Sequence, residues 1–388
     1  MPERTLNTPA WWFDAHLDLA YLAVSGRDLA KPLGGLPSGA EGPHPPAAVT
    51  LPSLADGRVR FALATIFTEP RGADAPALEP FEYREGDPEG AHRRGRAQLE
   101  VYLTLAERGL LSIDLPQALL TPAGTGLTRG GMGVGEFEPH PPDRAAARLA
   151  RLPGLHVGLL MENADPIRDP GELAWWVQRG VCAVGLAWVR GSRYAQGNGA
   201  EAGPGPGLSP LGRDLAREMD RLGVLHDASH LSDRALHDLL ELTPARVIAS
   251  HSNCRALLAR PDDPRNLQRH LTDAAIREIA RRGGVIGVNL YSSFLLRGSP
   301  QDQRARIDDV LAHVQRVCEL TGSHLHVGLG SDADGGFSAT RLPAGIDRPA
   351  DLWRLADALR RAGWPPAHIE DFAWRNWCRT LSTPSPRP

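Results

Sequence analysis

Eight short runs of apolar residues recur along the chain, most of them separated by enough sequence for a helix. They are WWFDAH, FALATIF, HVGLLME, CAVGLAWV, VLHDAS, RVIAS, VIGVNLY and HVGLGSD. Most are continuous rather than alternating, the pattern of a parallel strand covered on both faces. Between them, apolar positions at helical spacing predict helices over 92–109, 170–180, 211–222, 233–242 and 307–321, another closed by Gly283, and two more within 349–381. Strand and helix alternating through eight strands predict an α/β chain folded as a (β/α)8, TIM-like barrel, a single domain over 1–388. Two Gly- and Pro-rich segments, near 26–46 and 121–142, read as insertions, and 383–388 as a frayed tail. The second insertion lacks the GxxxxGK[ST] order, so it predicts no phosphate-binding loop.

In a barrel of this kind the carboxyl ends of the strands carry the chemistry. Six polar residues fall there: His16, Asp18, Glu162, His230, His251 and Asp332. One histidine at one strand end is more often a local cap than a ligand, and HxD at 16–18 is weak alone. Six such groups at one rim favour a site. In an extended strand, residues two apart share a face, so His16 and Asp18 can reach one ion. Three imidazoles with an Asp and a Glu make a nitrogen and oxygen donor set that suits zinc better than magnesium or calcium. Five ligands exceed the need of one open tetrahedral zinc, whereas two Zn2+ ions bridged by Glu162 use them all. A metal-bridging hydroxide would then be the nucleophile and Asp332 its proton carrier, which predicts hydrolysis of an amide or related carbonyl bond.

Composition narrows the alternatives. The chain has 388 residues, 42% hydrophobic and 23% charged, with a formal net charge of -3. That offers no basic field for nucleic acid or an anionic membrane, and no run of about 18 apolar residues predicts a span. Cys182, Cys254, Cys318 and Cys378 are scattered without a CxxC pair, predicting free thiols rather than a disulfide scaffold or thiolate zinc site. The amino-terminal residues lack a signal-peptide pattern, so the expected location is cytoplasmic.

At these residues the chain resembles the membrane (renal) dipeptidase family of binuclear zinc peptidases, within the amidohydrolase superfamily. The matching pieces are DAHLD at 14–18, LPSLADGRVRF at 51–61, GLSPLGRDLAREMDRLGVLHDASHLSD at 207–233, VIASHSNCRAL at 247–257, PRN at 264–266 and GLGSDADG at 328–335. The resemblance implies a zinc-dependent dipeptidase with His16, Asp18, Glu162, His230 and His251 as ligands and Asp332 catalytic. It also implies that Arg265 binds the substrate carboxylate and that the protein forms a homodimer. Where the family usually carries a histidine that stabilises the tetrahedral intermediate, this chain has Trp188, which has one donor and no titratable group. Arg190 or Arg193 is the expected substitute cation. Arg193, Tyr194, Trp188 and Asn289 complete the expected contacts to a small dipeptide-like substrate. The altered strand leaves two alternatives open, a related amide, lactam or ester hydrolase and an impaired, metal-retaining binding protein.

Overall fold

The eight apolar runs are eight strands: β1 (Trp12–Leu17), β2 (Val59–Ile66), β3 (Leu155–Met161), β4 (Val181–Gly185), β5 (Leu225–Asp227), β6 (Val247–Ile248), β7 (Ile286–Val288) and β8 (Val327–Leu329). In this computed structural model, residues 8–72, 74–115, 154–200, 205–259, 267–298 and 302–382 are described. Every strand pairing is parallel, in the order β7-β8-β1-β2-β3-β4-β5-β6. A parallel bridge between Ala249 and Ile286 joins β6 back to β7, and the main-chain bond from Gly287 to Ala249 O (2.8 Å) closes the ring. The fold is the expected TIM-like barrel.

Helices fall where polar caps meet apolar stripes. Ser209 caps α1 (Pro210–Leu222), Ser232 caps α2 (Asp233–Leu242) and Thr272 caps α3 (Asp273–Arg281), each through its hydroxyl to a backbone N–H of the first turn. Gly223 ends α1 with φ 72°, a conformation that costs glycine little. The helix expected over 170–180 is a 3-10 turn, Pro170–Glu172, followed by a short α-helix, Leu173–Val177. Strand β4 is shorter than its apolar run. It pairs with β5 only through Gly185, and the chain then leaves the sheet, which frees Trp188 to stand at the barrel mouth. Two three-residue strands, Glu69–Arg71 and Glu82–Arg84, and a short one, Leu111–Ser112 beside β3, carry no sequence signal of their own.

The Gly/Pro-rich segment 26–46 is stitched onto the mouth. Arg27, buried within it, donates to Glu41 O (2.7 Å) and Val49 O (3.2 Å) and pairs with the Asp334 carboxylate, which also accepts from the backbone of Ala48 and Val49. The expected insertion at 121–142 and Arg265 both lie outside the described residues. Among the described residues no helix is long and apolar enough to cross a membrane.

Candidate metal centre and substrate cavity

Each strand delivers its polar residue to the carboxyl end because the apolar run before it is fully buried and the chain turns outward only after it. His16 closes β1, Glu162 follows β3, and His230, His251 and Asp332 sit in the turns after β5, β6 and β8. All are buried, as is Asp18. His230 and Asp332 hold φ of 66° and 59°, a left-handed backbone that side chains avoid. Such strain costs about 1–3 kcal/mol per residue and persists where the surroundings fix it.

The side chains meet around Glu162. Its Oε2 is 3.6 Å from His16 Nε2, which also lies 3.6 Å from Asp18 Oδ2 and 3.9 Å from Asp332 Oδ1. Its Oε1 is 3.1 Å from His230 Nε2 and 3.6 Å from His251 Nε2. One carboxylate thus divides its two oxygens between two donor sets.

The outer hydrogen bonds decide which imidazole nitrogens carry protons. His230 Nδ1 lies 3.1 Å from Asn198 Oδ1, an acceptor, so Nδ1 donates and Nε2 presents a lone pair. Ser250 Oγ donates to Asp227 (2.5 Å) and therefore accepts from His251 Nδ1 at 2.8 Å, leaving the His251 Nε2 lone pair free too. Those two nitrogens are only 3.0 Å apart, facing the same carboxylate. His16 Nε2 is buried with no hydrogen-bond partner. Lone pairs and carboxylates crowded into one buried volume repel unless cations sit among them, so the residues fit metal ions.

The electrostatics agree. Burial pushes the Glu162 and Asp332 carboxyls up and holds the His230 and His251 imidazoles well below their ordinary value. Burial opposes protonation of His16 as well, but the charges of Glu162, Asp18 and Asp332 outweigh it and raise that imidazole to about 10. Two groupings of potential ligands stand out geometrically, His16 with Glu162 and His251, and His16 with Asp18 and Asp332.

Several residues hold this centre from behind. Asp14 accepts from the backbone N–H of Ser331 (2.8 Å), tying β1 to the turn that bears Asp332. Asp227 accepts from the Ser250 N–H (2.8 Å), tying β5 to β6. Gly330 and Gly287 admit the Ser250 carbonyl, which would lie 1.8 and 1.9 Å from a Cβ at those positions. Asn289, expected to touch substrate, is fully buried and donates through Nδ2 to Asp332 Oδ2 (2.8 Å), so its observed contact orients the Asp332 carboxylate.

A cavity of about 1090 Å³ opens above the centre, lined by Asp18, Glu162, His230, His251 and Asp332 on its floor. Trp188 lines it, as expected. Arg193 and Tyr194 do not. Arg193 instead donates to Ile167 O (3.0 Å) and pairs with Asp165, and Tyr194 is buried with its hydroxyl on the same Ile167 carbonyl. Their loop turns them toward the β3–β4 connection, so neither reaches the centre. Arg190 is exposed and likewise absent from the lining. Two arginines line the cavity, Arg71 and Arg269, and Arg269, bonded to the His251 turn, is the one the sequence reading missed beside the centre. It is buried, donates to His251 O (2.8 Å) and Ser252 Oγ (3.1 Å), and its Nε has no partner. The only textual hint is its place four residues after Arg265.

A family model of the membrane dipeptidases, peptidase family M19, matches residues 143–384. The chain belongs to that family. Membership makes it a metallo-dipeptidase by class, and the match begins after His16 and Asp18, which the barrel itself brings to the centre. An uncharacterized protein in the pqqA 5' region of Klebsiella pneumoniae is 34% identical over 214 residues, 54% of this chain and 74% of that protein. An uncharacterized dipeptidase of Schizosaccharomyces pombe is 34% identical over 177 residues, 46% of this chain, and the match spans only 40% of the fungal protein. Among solved structures, a metallopeptidase from Rhodobacter sphaeroides, bound to a phosphinate mimic of the dipeptide L-Ala-D-Ala, superposes with a TM-score of 0.72 at 23% identity. The superposition covers 96% of this chain and 99% of that one. At that identity the likeness is one of fold.

Proposed function

We propose that this M19 dipeptidase cleaves dipeptides with a free terminal carboxylate, using two zinc ions bridged by Glu162. His16 and Asp18 would hold one ion, His230 and His251 the other. The observation that carries this reading is the division of Glu162, Oε2 toward His16 and Oε1 toward His230 and His251. Nitrogen and oxygen donors without a thiolate favour zinc over the hard alkaline-earth cations. Bound there, zinc would polarise the scissile carbonyl and bring water to a reactive acidity near neutral pH.

The chain's own residues do the rest. Arg269 holds the substrate carboxylate, the role that the sequence resemblance implied for Arg265; a buried guanidinium that lines the cavity beside His251 suits it. That contact aligns the scissile bond over Glu162. Asp332, fixed by Asn289 at Oδ2, keeps Oδ1 toward the reacting bond. It takes the proton released as the water oxygen bonds to the carbonyl carbon and gives it to the nitrogen as the C–N bond breaks. We extend the reading to a cytoplasmic homodimer, in keeping with four free cysteines.

The test is elemental analysis of the purified protein together with release of amino acids from a dipeptide library, with and without chelator. Two zincs per chain and chelator-sensitive turnover are expected. A folded protein that takes up no metal from a zinc-containing buffer overturns the site. A second reading, a metal-retaining protein without turnover, is favoured by Trp188 standing 6.0 Å from the His230 ring where an imidazole is expected. It predicts two zincs, no hydrolysis, and turnover gained on Trp188→His.

A further inference from the structure

Four aromatic rings form one continuous wall on the His230 side of the cavity. Trp188 lies 6.0 Å from His230 and meets Phe67 edge-on at 5.0 Å. Phe67 in turn contacts Phe81 at 5.6 Å and Tyr21 at 5.7 Å, and those two meet at 4.8 Å. All four line the cavity. Phe67 is held by its backbone, whose N–H donates to Gln98 Oε1 (2.9 Å), so the wall stands on a fixed strand end.

Arg269 lines the same cavity, bonded to the main chain of His251. A dipeptide whose carboxylate meets Arg269 and whose carbonyl lies over Glu162 can then lay its amino-terminal residue against these rings, which begin beside His230. The volume, about 1090 Å³, lies at the upper end of small-molecule sites and far exceeds what two alanines occupy. Three carboxylates, Glu69, Glu79 and Glu82, line the cavity near the wall, and Arg71 pairs with Glu69 (3.3 Å) and Glu82 (2.6 Å).

We infer that Trp188, Phe67, Phe81 and Tyr21 form the side-chain subsite for the amino-terminal residue of the substrate and select a large aromatic or aliphatic side chain there. The replacement of an imidazole by Trp188 is then a specificity feature as well as a departure in the machinery. Edge-to-face packing against a planar ring adds to the gain from apolar burial. This inference rests on the dipeptide reading for its orientation.

The experiment compares kcat/KM for Phe-Ala, Leu-Ala, Ala-Ala and Arg-Ala on zinc-replete wild type, Phe81→Leu and Trp188→Ala. In parallel, calorimetry measures binding of phosphinate dipeptide mimics bearing benzyl or methyl on the amino side. Phe-Ala is expected to exceed Ala-Ala by about tenfold or more, the scale of one good apolar contact in a pocket. The benzyl mimic should bind tighter by a similar factor, and both ratios should shrink in each variant. Equal ratios in wild type, a preference for Arg-Ala, or ratios unmoved by both variants overturn the inference. Failure of every dipeptide to turn over refutes the dipeptide reading instead, and the two mimics still decide the subsite.

Discussion

Arg269 offers the sharpest test of how the cavity reads its substrate. The side chain is 7% exposed and two of its nitrogens are already committed, to His251 O and Ser252 Oγ, which fixes the guanidinium plane. A carboxylate presented to the remaining face makes charge-assisted hydrogen bonds to a largely desolvated guanidinium. Truncating one partner of such a pair costs about 2–5 kcal/mol. Taking about 3 kcal/mol, the wild type should favour Ala-Ala over its carboxamide by about 10²-fold in kcat/KM. In Arg269→Ala the preference should collapse to near unity, because acid and amide then meet the same wall. Arg269→Lys, which keeps the charge but loses the planar fork, should fall between. The assay is amine release from the two substrates under kcat/KM conditions, with zinc content measured on each variant. If Arg269→Ala retains a 10²-fold preference while Arg265→Ala abolishes it, the assignment made from the cavity is wrong and the one from the PRN motif is right.

Glu162→Gln should reduce bound zinc below two per chain and depress kcat/KM by at least about 10²-fold, read by elemental analysis and kinetics; full occupancy would argue against a bridging role. Gly330→Ala sets a Cβ 1.8 Å from the Ser250 carbonyl, so unfolding free energy should drop by about 3 kcal/mol or more in a denaturant titration. A change under about 1 kcal/mol would mean the barrel gives way there without cost. His313 is buried in the interior, accepting from the Cys254 N–H at 3.1 Å, and burial lowers its imidazole to about 4. Because the unfolded chain protonates near 6.5 and the folded one only near 4, stability should be full above pH 6.5. It should fall through that window by about 3 kcal/mol as acid is added. His313→Asn should flatten this part of the limb in denaturant titrations at pH 7 and pH 5, and a parallel decline in both proteins would refute the cause.

The eight strands were legible because a parallel strand buried on both faces must be apolar throughout, whatever its neighbours. The gathering of polar residues at the rim was legible for a related reason. A histidine or carboxylate ending such a run has nowhere to point except out of the barrel's carboxyl end, and eight runs send their ends to one rim. The cap residues Ser209, Ser232 and Thr272 also declare their helices locally, through bonds within a single turn.

The rest depended on where the chain goes after each strand, which no local pattern sets. Arg265 carries the PRN motif and Arg269 carries none, yet the fold bonds Arg269 to the carbonyl of His251. Tyr194 looked like a contact residue, but its hydroxyl is engaged by Ile167 on a neighbouring connection. Asn289 looked like a substrate ligand and instead orients Asp332 across the β7–β8 gap. Proton positions on His230 and His251 follow from Asn198 and from the Ser250–Asp227 pair, which come from three different turns. Sequence by itself determined the strands, the caps and the rim residues, since period and burial act over a few residues. Tertiary structure alone decided which charge faces the cavity, which nitrogen faces the metal and which rings share a wall, because those depend on contacts between segments far apart along the chain.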